Sequence, residues 1–205
     1  QRLRNTAFVL LTAPETLPKT IHGYLGEFNL RQEIYEPMAA YFKKQEYAPQ
    51  TIAALEKALP ELNYTQILNA LTILCHLSLT MPCLSREATE QEITHSQKLN
   101  HYLIEQASFH VNYQALACPI TGIGIPTDQF TQLFYRAHFK DGLKTAKQFA
   151  EYIQNTLDPL GWLVLDNEGK SVQDRAESLK ILQSKAQIFI DSDKLKIAKQ
   201  LKLFA

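Results

Sequence analysis

No apolar run in this sequence approaches the ~20 residues that cross a bilayer as a helix. Neither charge is in excess, since Lys plus Arg and Asp plus Glu each total 21 among 205 residues. A neutral chain carries no overall field toward nucleic acid or an anionic membrane, so any basic patch must be local. Cysteine is scarce: Cys75, Cys83 and Cys118 are odd in number and form no C-x-x-C. That pattern suits a reducing, cytoplasmic setting better than a disulfide framework. Catalytic spacings are missing too, with no H-E-x-x-H and no G-x-S-x-G, and no G-K-[ST] follows the glycines at Gly122 and Gly124. Cys75 and His76 are adjacent, and neighbours on a helix point ~100° apart, so thiol and imidazole do not face each other. Cys75 reads instead as a packed core cysteine. His95 and His101 lie six residues apart and share no helical face for a metal, while His22, His110 and His138 are scattered.

What is present is ordinary globular material, 45% hydrophobic and 20% charged, able to bury about 70% of its unfolded surface as one large domain or two small ones. Gln1 stands where an initiator Met would, and Leu3, Phe8 and Leu11 suit one face of a helix already under way, so a piece of a longer protein is expected. Pro14 to Gly26 reads as a loop or short hairpin. Pro37 is expected to open a helix with Met38, Tyr41 and Phe42, Pro49 a second with Ile52, Leu55 and Leu59. Asn63 is positioned to cap a third with Ile67, Leu71 and Leu74. Leu77, Leu79 and Met81 then alternate with Ser78, Thr80 and Pro82. Three short helices and an alternating strand make the outline of a winged helix. Its third helix offers Gln66, Asn69, Thr72 and His76 on the polar side with no Lys or Arg. Phosphate neutralisation supplies most non-specific affinity, so this helix is a poor DNA reader and a better protein-contact or packing element.

Ser85 to Gln106 is polar and contains a joining helix. From Phe109 to Ala117 apolar and polar residues alternate as a strand, which leads into Gly122 and Gly124 and restarts as a helix after Pro126. The third glycine of a dinucleotide loop is absent. The reading is a rigid hinge between strand and helix, with at least one glycine at positive φ and Pro126 fixing the first helical turn. Helices are expected over Asp128 to Phe139 (stopped by Asp141-Gly142), Leu143 to Leu157, Val172 to Ile190 and Lys194 to Phe204. A short strand at Leu160, Trp162 and Val164 turns at Asn167 to Gly169. Trp162 reads as a core or interface anchor, and Lys194, Lys196, Lys199 and Lys202 as a solvated helix end. The fold class is mainly α with short β segments (α+β), with a winged-helix-like subdomain over 1–86 and a helical subdomain with short strands over 87–205.

Two segments carry a resemblance. Leu3, Arg4 and Asn5 followed by Phe8 resemble the start of the region that follows the catalytic domain in a family of bacterial S-adenosylmethionine-dependent methyltransferases, some of which act on protein lysines. Ala117, Pro119, Gly122, Gly124, Pro126 and then Gln132, Leu133 and Phe134 resemble that family's later A-x-P-x-x-G-x-G-x-P-x-x-x-x-x-Q-L-F stretch. The ending Ile-Ala-Lys-Gln-Leu-Lys-Leu-Phe-Ala is similar to the way these chains close. One departure is Val9-Leu10-Leu11, where family members tend toward polar residues. The resemblance implies a non-catalytic regulatory domain and C-terminal domain. S-adenosylmethionine would be bound in a catalytic domain preceding this chain, with no cofactor, metal or catalytic residue carried over to it. The implied partners are the chain's own N-terminal methyltransferase domain, a protein substrate and a second copy of the chain, with no nucleic acid and no membrane. The implied role is to help dimerise, to hold the protein substrate or to limit access to the active site. The alternative is a winged-helix interaction or transcription-regulatory module, and behind it a free-standing enzyme.

Overall fold

Side-chain caps fix where several helices begin. In the computed structural model, which describes residues 2–23, 26–166 and 168–205, Asn63 Oδ1 accepts from Gln66 N at 3.0 Å while Gln66 Oε1 accepts from Asn63 N at 2.9 Å. This reciprocal box starts one helix; Thr145 with Gln148 forms a second, and Asp128 caps a third through Thr131 N at 3.0 Å. The fold is mixed α and β with small antiparallel sheets.

In chain order the elements are β1 (Ala7–Leu10), β2 (Thr20–Gly23), β3 (Gly26–Asn29), α1 (Gln32–Lys44), β4 (Gln50–Thr51), α2 (Ile52–Ala58), α3 (Tyr64–His76), β5 (Thr80–Pro82) and α4 (Glu90–Gln106). They continue with β6 (Ala115–Cys118), β7 (Ile123–Pro126), α5 (Gln129–Phe139), α6 (Ala146–Leu157), α7 (Arg175–Asp191) and α8 (Lys194–Gln200). Two compact units divide the chain. Unit 1 is Gln1–Thr89 with Pro119–Gly122 and Ser192–Lys202; unit 2 is Glu90–Cys118, Ile123–Asp191 and Leu203–Ala205.

Unit 1 is built on a three-stranded antiparallel sheet in the order β4-β1-β5, with Phe8 opposite Gln50 and Val9 opposite Met81. The helix expected at Arg2 to Leu11 is instead a 3-10 turn at Leu3–Asn5 followed by β1. A central strand buried on both faces is apolar at successive positions, and Phe8, Val9 and Leu10 are all buried. A short run of that kind has no period that separates strand from helix. Helix α1 begins five residues before Pro37, which lies inside it. The ring removes the intrahelical bond to the Glu33 carbonyl, and the buried face of Ile34, Tyr35, Met38, Ala39 and Phe42 holds the helix in place. Pro49 does not open α2. It precedes β4, and Thr51 caps the helix through Ala54 N at 3.1 Å.

Unit 2 packs α4, α5, α6 and α7 around rings. Phe134 lies 5.6 Å from Phe149 and 5.0 Å from Phe189, and Tyr135 lies 5.3 Å from Phe204. The strand expected at Leu160 to Val164 is a 3-10 turn at Asp158–Leu160 followed by a single bridge, Leu165 to Ser171. Asn167, in the turn expected there, lies outside the described residues. Of the strand expected from Phe109 only Ala115–Cys118 forms, because the hydrogen-bonding partner β7 is four residues long.

The buried polar centre of unit 2 is Asn100, with none of its surface exposed. Its Oδ1 accepts from Ala117 N at 2.7 Å, and its Nδ2 donates to the Ala117 carbonyl at 2.8 Å and the Leu203 carbonyl at 2.9 Å. The amide thus pairs with β6 as a neighbouring strand would. Asn100→Leu leaves three backbone groups unpaired and is expected to lower stability by about 3 kcal/mol, read as a shift in the urea midpoint. Amide exchange at Ala117 should rise with it; a midpoint equal to the parent's would show the clamp carries no weight.

Candidate functional site

The resemblance residues near the start of the chain are held by charge and ring contacts. Arg4 grips Glu56 with two bonds, Nε to Oε2 at 2.8 Å and Nη2 to Oε1 at 3.2 Å, and its guanidinium lies 4.5 Å from the centre of the Tyr64 ring. The hydrogen bond from Arg4 holds the Glu56 carboxyl below its ordinary range. Arg4 therefore ties the N-terminal segment to α2 and the start of α3, while Phe8 is buried in β1. Asn5 lies in the 3-10 turn and lines a cleft.

The glycine corner is a hairpin, not a hinge leading straight into a helix. Gly122 at φ 72° lets the chain reverse, and Ile123–Pro126 pairs back on Ala115–Cys118. Pro126 closes β7, and the next helix begins at Gln129 under the Asp128 cap. Gly124 has no positive φ; a Cβ there would sit 3.2 Å from Ala115 Cβ, whereas one on Gly122 would meet Leu84 Cδ2 at 2.9 Å. The expectation of one glycine at positive φ thus falls to Gly122. Pro119 and Gly122 bound the turn, which belongs to unit 1, and Leu84 N donates to the Ile120 carbonyl at 3.0 Å. Gln132 is fully buried and donates through Nε2 to the carbonyls of Tyr113 at 2.5 Å and Thr127 at 2.9 Å. Leu133 and Phe134 are core residues of unit 2.

The structure brings Asn5 and the turn holding Pro119 and Gly122 to one place. A cleft of about 920 Å³ in unit 1 is lined by Arg2, Asn5, Thr6 and Ala7, by Pro49, by the Cys83–Ala88 segment, and by Ile120 and Lys202. Arg2, Arg86 and Lys202 bring cations to it and Glu87 a carboxylate. Gly124, Pro126, Gln132, Leu133 and Phe134 lie in unit 2. Sequence reasoning did not single out Arg2, Arg86 or Lys202 as a group, because five separate stretches of chain supply the lining and no spacing links them.

Lys202 is placed by a polar cluster at the start of its helix. Asp193, 9% exposed, accepts from Tyr47 Oη at 2.7 Å and from Lys196 Nζ at 2.7 Å, with Lys43 Nζ at 3.3 Å. Lys43 also donates to Glu15 at 2.7 Å. Burial opposes ionisation of Asp193, yet the hydrogen bonds from Lys196, Tyr47 and Lys43 outweigh it and hold its pKa below the ordinary value. Burial, then the Asp193 hydrogen bond, pushes the Tyr47 phenol up. Tyr47 and Asp193 both stand at positive φ, 62° and 56°.

Other residues weighed for chemistry are placed apart. Cys75 Sγ lies 3.2 Å from Thr80 Oγ1, and His76 is exposed on α3. His101 packs edge-on against Phe204 at 5.5 Å. Half-buried Trp162 lines a 480 Å³ hollow in unit 2 with Phe130 and Lys185. Among the described residues no group of three or more His, Cys, Asp or Glu is placed to hold a metal, and no helix is long and apolar enough to cross a membrane.

Asp193→Asn is expected to cost about 2 kcal/mol at pH 7, since it weakens hydrogen bonds to charged donors. Because the folded pKa is depressed, the parent's advantage is full above the unfolded carboxylate value of ~3.9. It shrinks as pH falls through the lower folded value. Urea midpoints of both proteins from pH 7 to 2.5 check this; a gap that persists at the acid end contradicts it. Gly122→Val, strained at φ 72° and crowding Leu84, should cost ~1–3 kcal/mol, more than Gly124→Val, where only Ala115 must give way; thermal melts that rank them in the opposite order refute the hairpin argument.

A comparison with protein families, curated proteins and solved structures finds no match to this chain.

Proposed function

We propose that this chain is the non-catalytic regulatory and substrate-recognition region of a cytoplasmic S-adenosylmethionine-dependent methyltransferase that acts on protein. Its partners are its own N-terminal catalytic domain, the protein substrate and a second copy of itself. The observation that carries this reading is the pair of resemblance segments, several of whose residues hold the structure together. Arg4 is engaged with Glu56 and Tyr64, Phe8 sits in the central strand, Gly122 turns the hairpin and Gln132 donates to the backbone carbonyls of Tyr113 and Thr127. A cleft lined by parts of both segments gives the region a surface for contact. In the full-length protein, deleting this chain should abolish transfer to the protein acceptor while leaving cofactor affinity unchanged. The isolated chain should bind S-adenosylmethionine more weakly than roughly 100 μM, the level that needs about 5 kcal/mol of specific contact. Calorimetry showing tighter binding by the chain alone would overturn the division of labour, as would full-length protein with no methyl transfer.

A second reading is favoured by topology. What supports it is the order α1, β4, α2, α3, β5, with β4 and β5 flanking β1 in one antiparallel sheet, which resembles a winged-helix outline. As a winged-helix module the chain serves protein contact, since α3 exposes Asn69, Thr72 and His76 and contains no Lys or Arg. Salt-sensitive binding of duplex DNA, lost when Gln66 and Asn69 become Glu, would instead make it a transcription module.

A further inference from the structure

We propose that unit 1 carries a binding groove for a small organic carboxylate with a hydrocarbon body, set between the β2–β3 hairpin, the first turn of α1 and one face of α3. The groove shares no lining residue with the cleft described above and does not depend on the methyltransferase reading. The hairpin supplies one wall. Ile21 stands opposite Phe28 and His22 opposite Glu27, and opposed side chains share a face while successive ones alternate. Ile21 and Phe28 both line the groove, whereas His22 and Glu27 pair on the other face, 3.2 Å apart and largely exposed.

Helix α3 supplies a second wall. Gln66, Asn69, Ala70 and Ile73 line it at i, i+3, i+4 and i+7, one face of the helix. Gln66 and Asn69 read as a polar side in the sequence, and Ala70 and Ile73 make that side half hydrocarbon. At the start of α1, Arg31 and Tyr35 stand one turn apart, with Tyr35 N donating to the Arg31 carbonyl at 3.2 Å. The volume, about 510 Å³, falls within the range of small-ligand sites. Phe28 is 48% exposed in this concave setting, so hydrocarbon remains for a ligand to cover.

Charge and hydrogen-bonding capacity select the ligand. Among the described residues that line the groove Arg31 is the only charged one, and no described residue pairs with its guanidinium. Tyr35, 7% exposed, has no partner for its hydroxyl among the described residues. Burial pushes its phenol up, which keeps it a donor at neutral pH. A guanidinium and a phenol at one turn of α1 match a single carboxylate. The amides are partly engaged already: Gln66 Oε1 accepts from Asn63 N, and Asn29 Oδ1 from Thr20 Oγ1 at 2.9 Å. An extended peptide would bring a backbone N–H and C=O at every residue, with too few partners here to offset their desolvation. One carboxylate on a hydrocarbon body needs no more than the groove holds.

The test is isothermal titration calorimetry on the 205-residue chain with decanoate, decanol and decyltrimethylammonium as probes. Decanoate is expected to bind as a single equivalent, more tightly than decanol, with decyltrimethylammonium weakest. Arg31→Gln should weaken decanoate about fivefold, the value of one exposed charge pair near its upper limit, and leave decanol unchanged. A variant that merely loosened the fold would lose both probes alike. Tyr35→Phe should weaken decanoate and spare decanol, while Phe28→Ser should weaken the two together. Bound decanoate should also slow amide exchange in Thr20–Gly23 and Gly26–Asn29, because a two-stranded hairpin has little stability of its own. Absence of saturable decanoate uptake overturns the proposal, as does equal affinity for decyltrimethylammonium or unchanged decanoate affinity in Arg31→Gln. Retention on phosphatidylglycerol vesicles without uptake of free decanoate overturns it in favour of a lipid surface. A dimer that Phe28→Ser dissociates and decanoate leaves intact overturns it in favour of a second copy.

Discussion

One buried carboxylate organises the far end of unit 1. Asp193 leaves water, which costs several kcal/mol for an unpaired ion, and is compensated by Tyr47, Lys196 and Lys43 together. No single partner would suffice, since Lys43 is shared with Glu15 and Lys196 is largely exposed. Both ends of the Tyr47 bond rest on left-handed backbone, so each side holds a conformation that is unfavourable in isolation. The carboxylate therefore decides more than its own solvation. Helix α8 has seven residues, too few to be stable alone, and its start is defined by Asp193. Where α8 lies, Lys202 lies.

What could be read from the sequence follows from how local each signal is. The cap at Asn63 acts within three residues, and the structure has it; the Asp128 cap is equally local but was passed over because Pro126 was expected to start that helix. The mixed α and β class was legible for the same reason, because apolar periods and turn residues are short-range. The strand β1 was not, since Phe8, Val9 and Leu10 owe their burial to β4, β5 and the helices, partners from elsewhere in the chain. The glycine corner failed differently. Gly122 signals a reversal as readily as a hinge, and Ile123, Ile125 and their neighbours had to be weighed as a returning strand before Pro126 could be placed at its end. Asn100 gave no signal at all, because a polar residue in the middle of a helix is usually solvated and its three partners lie in β6 and at Leu203.

The candidate cleft was hidden by the same non-locality. Its cations are 84 and 116 residues apart along the chain, from Arg2 to Arg86 and from Arg86 to Lys202. A zero total charge gives no hint of them. Net charge governs the field far from a protein, whereas within a Debye length of ~8 Å the local groups dominate. Neutrality thus argues against binding driven by long-range attraction and leaves the make-up of any one cleft open.

The clamp also links the order of unit 1 to a single proton. The Asp193 carboxylate holds α8 while it is ionised, through Lys196, Tyr47 and Lys43. Protonation removes the charge that these donors answer and leaves them a weaker acceptor. Part of the free energy that docks α8 is then lost, and a seven-residue helix has little stability of its own to replace it.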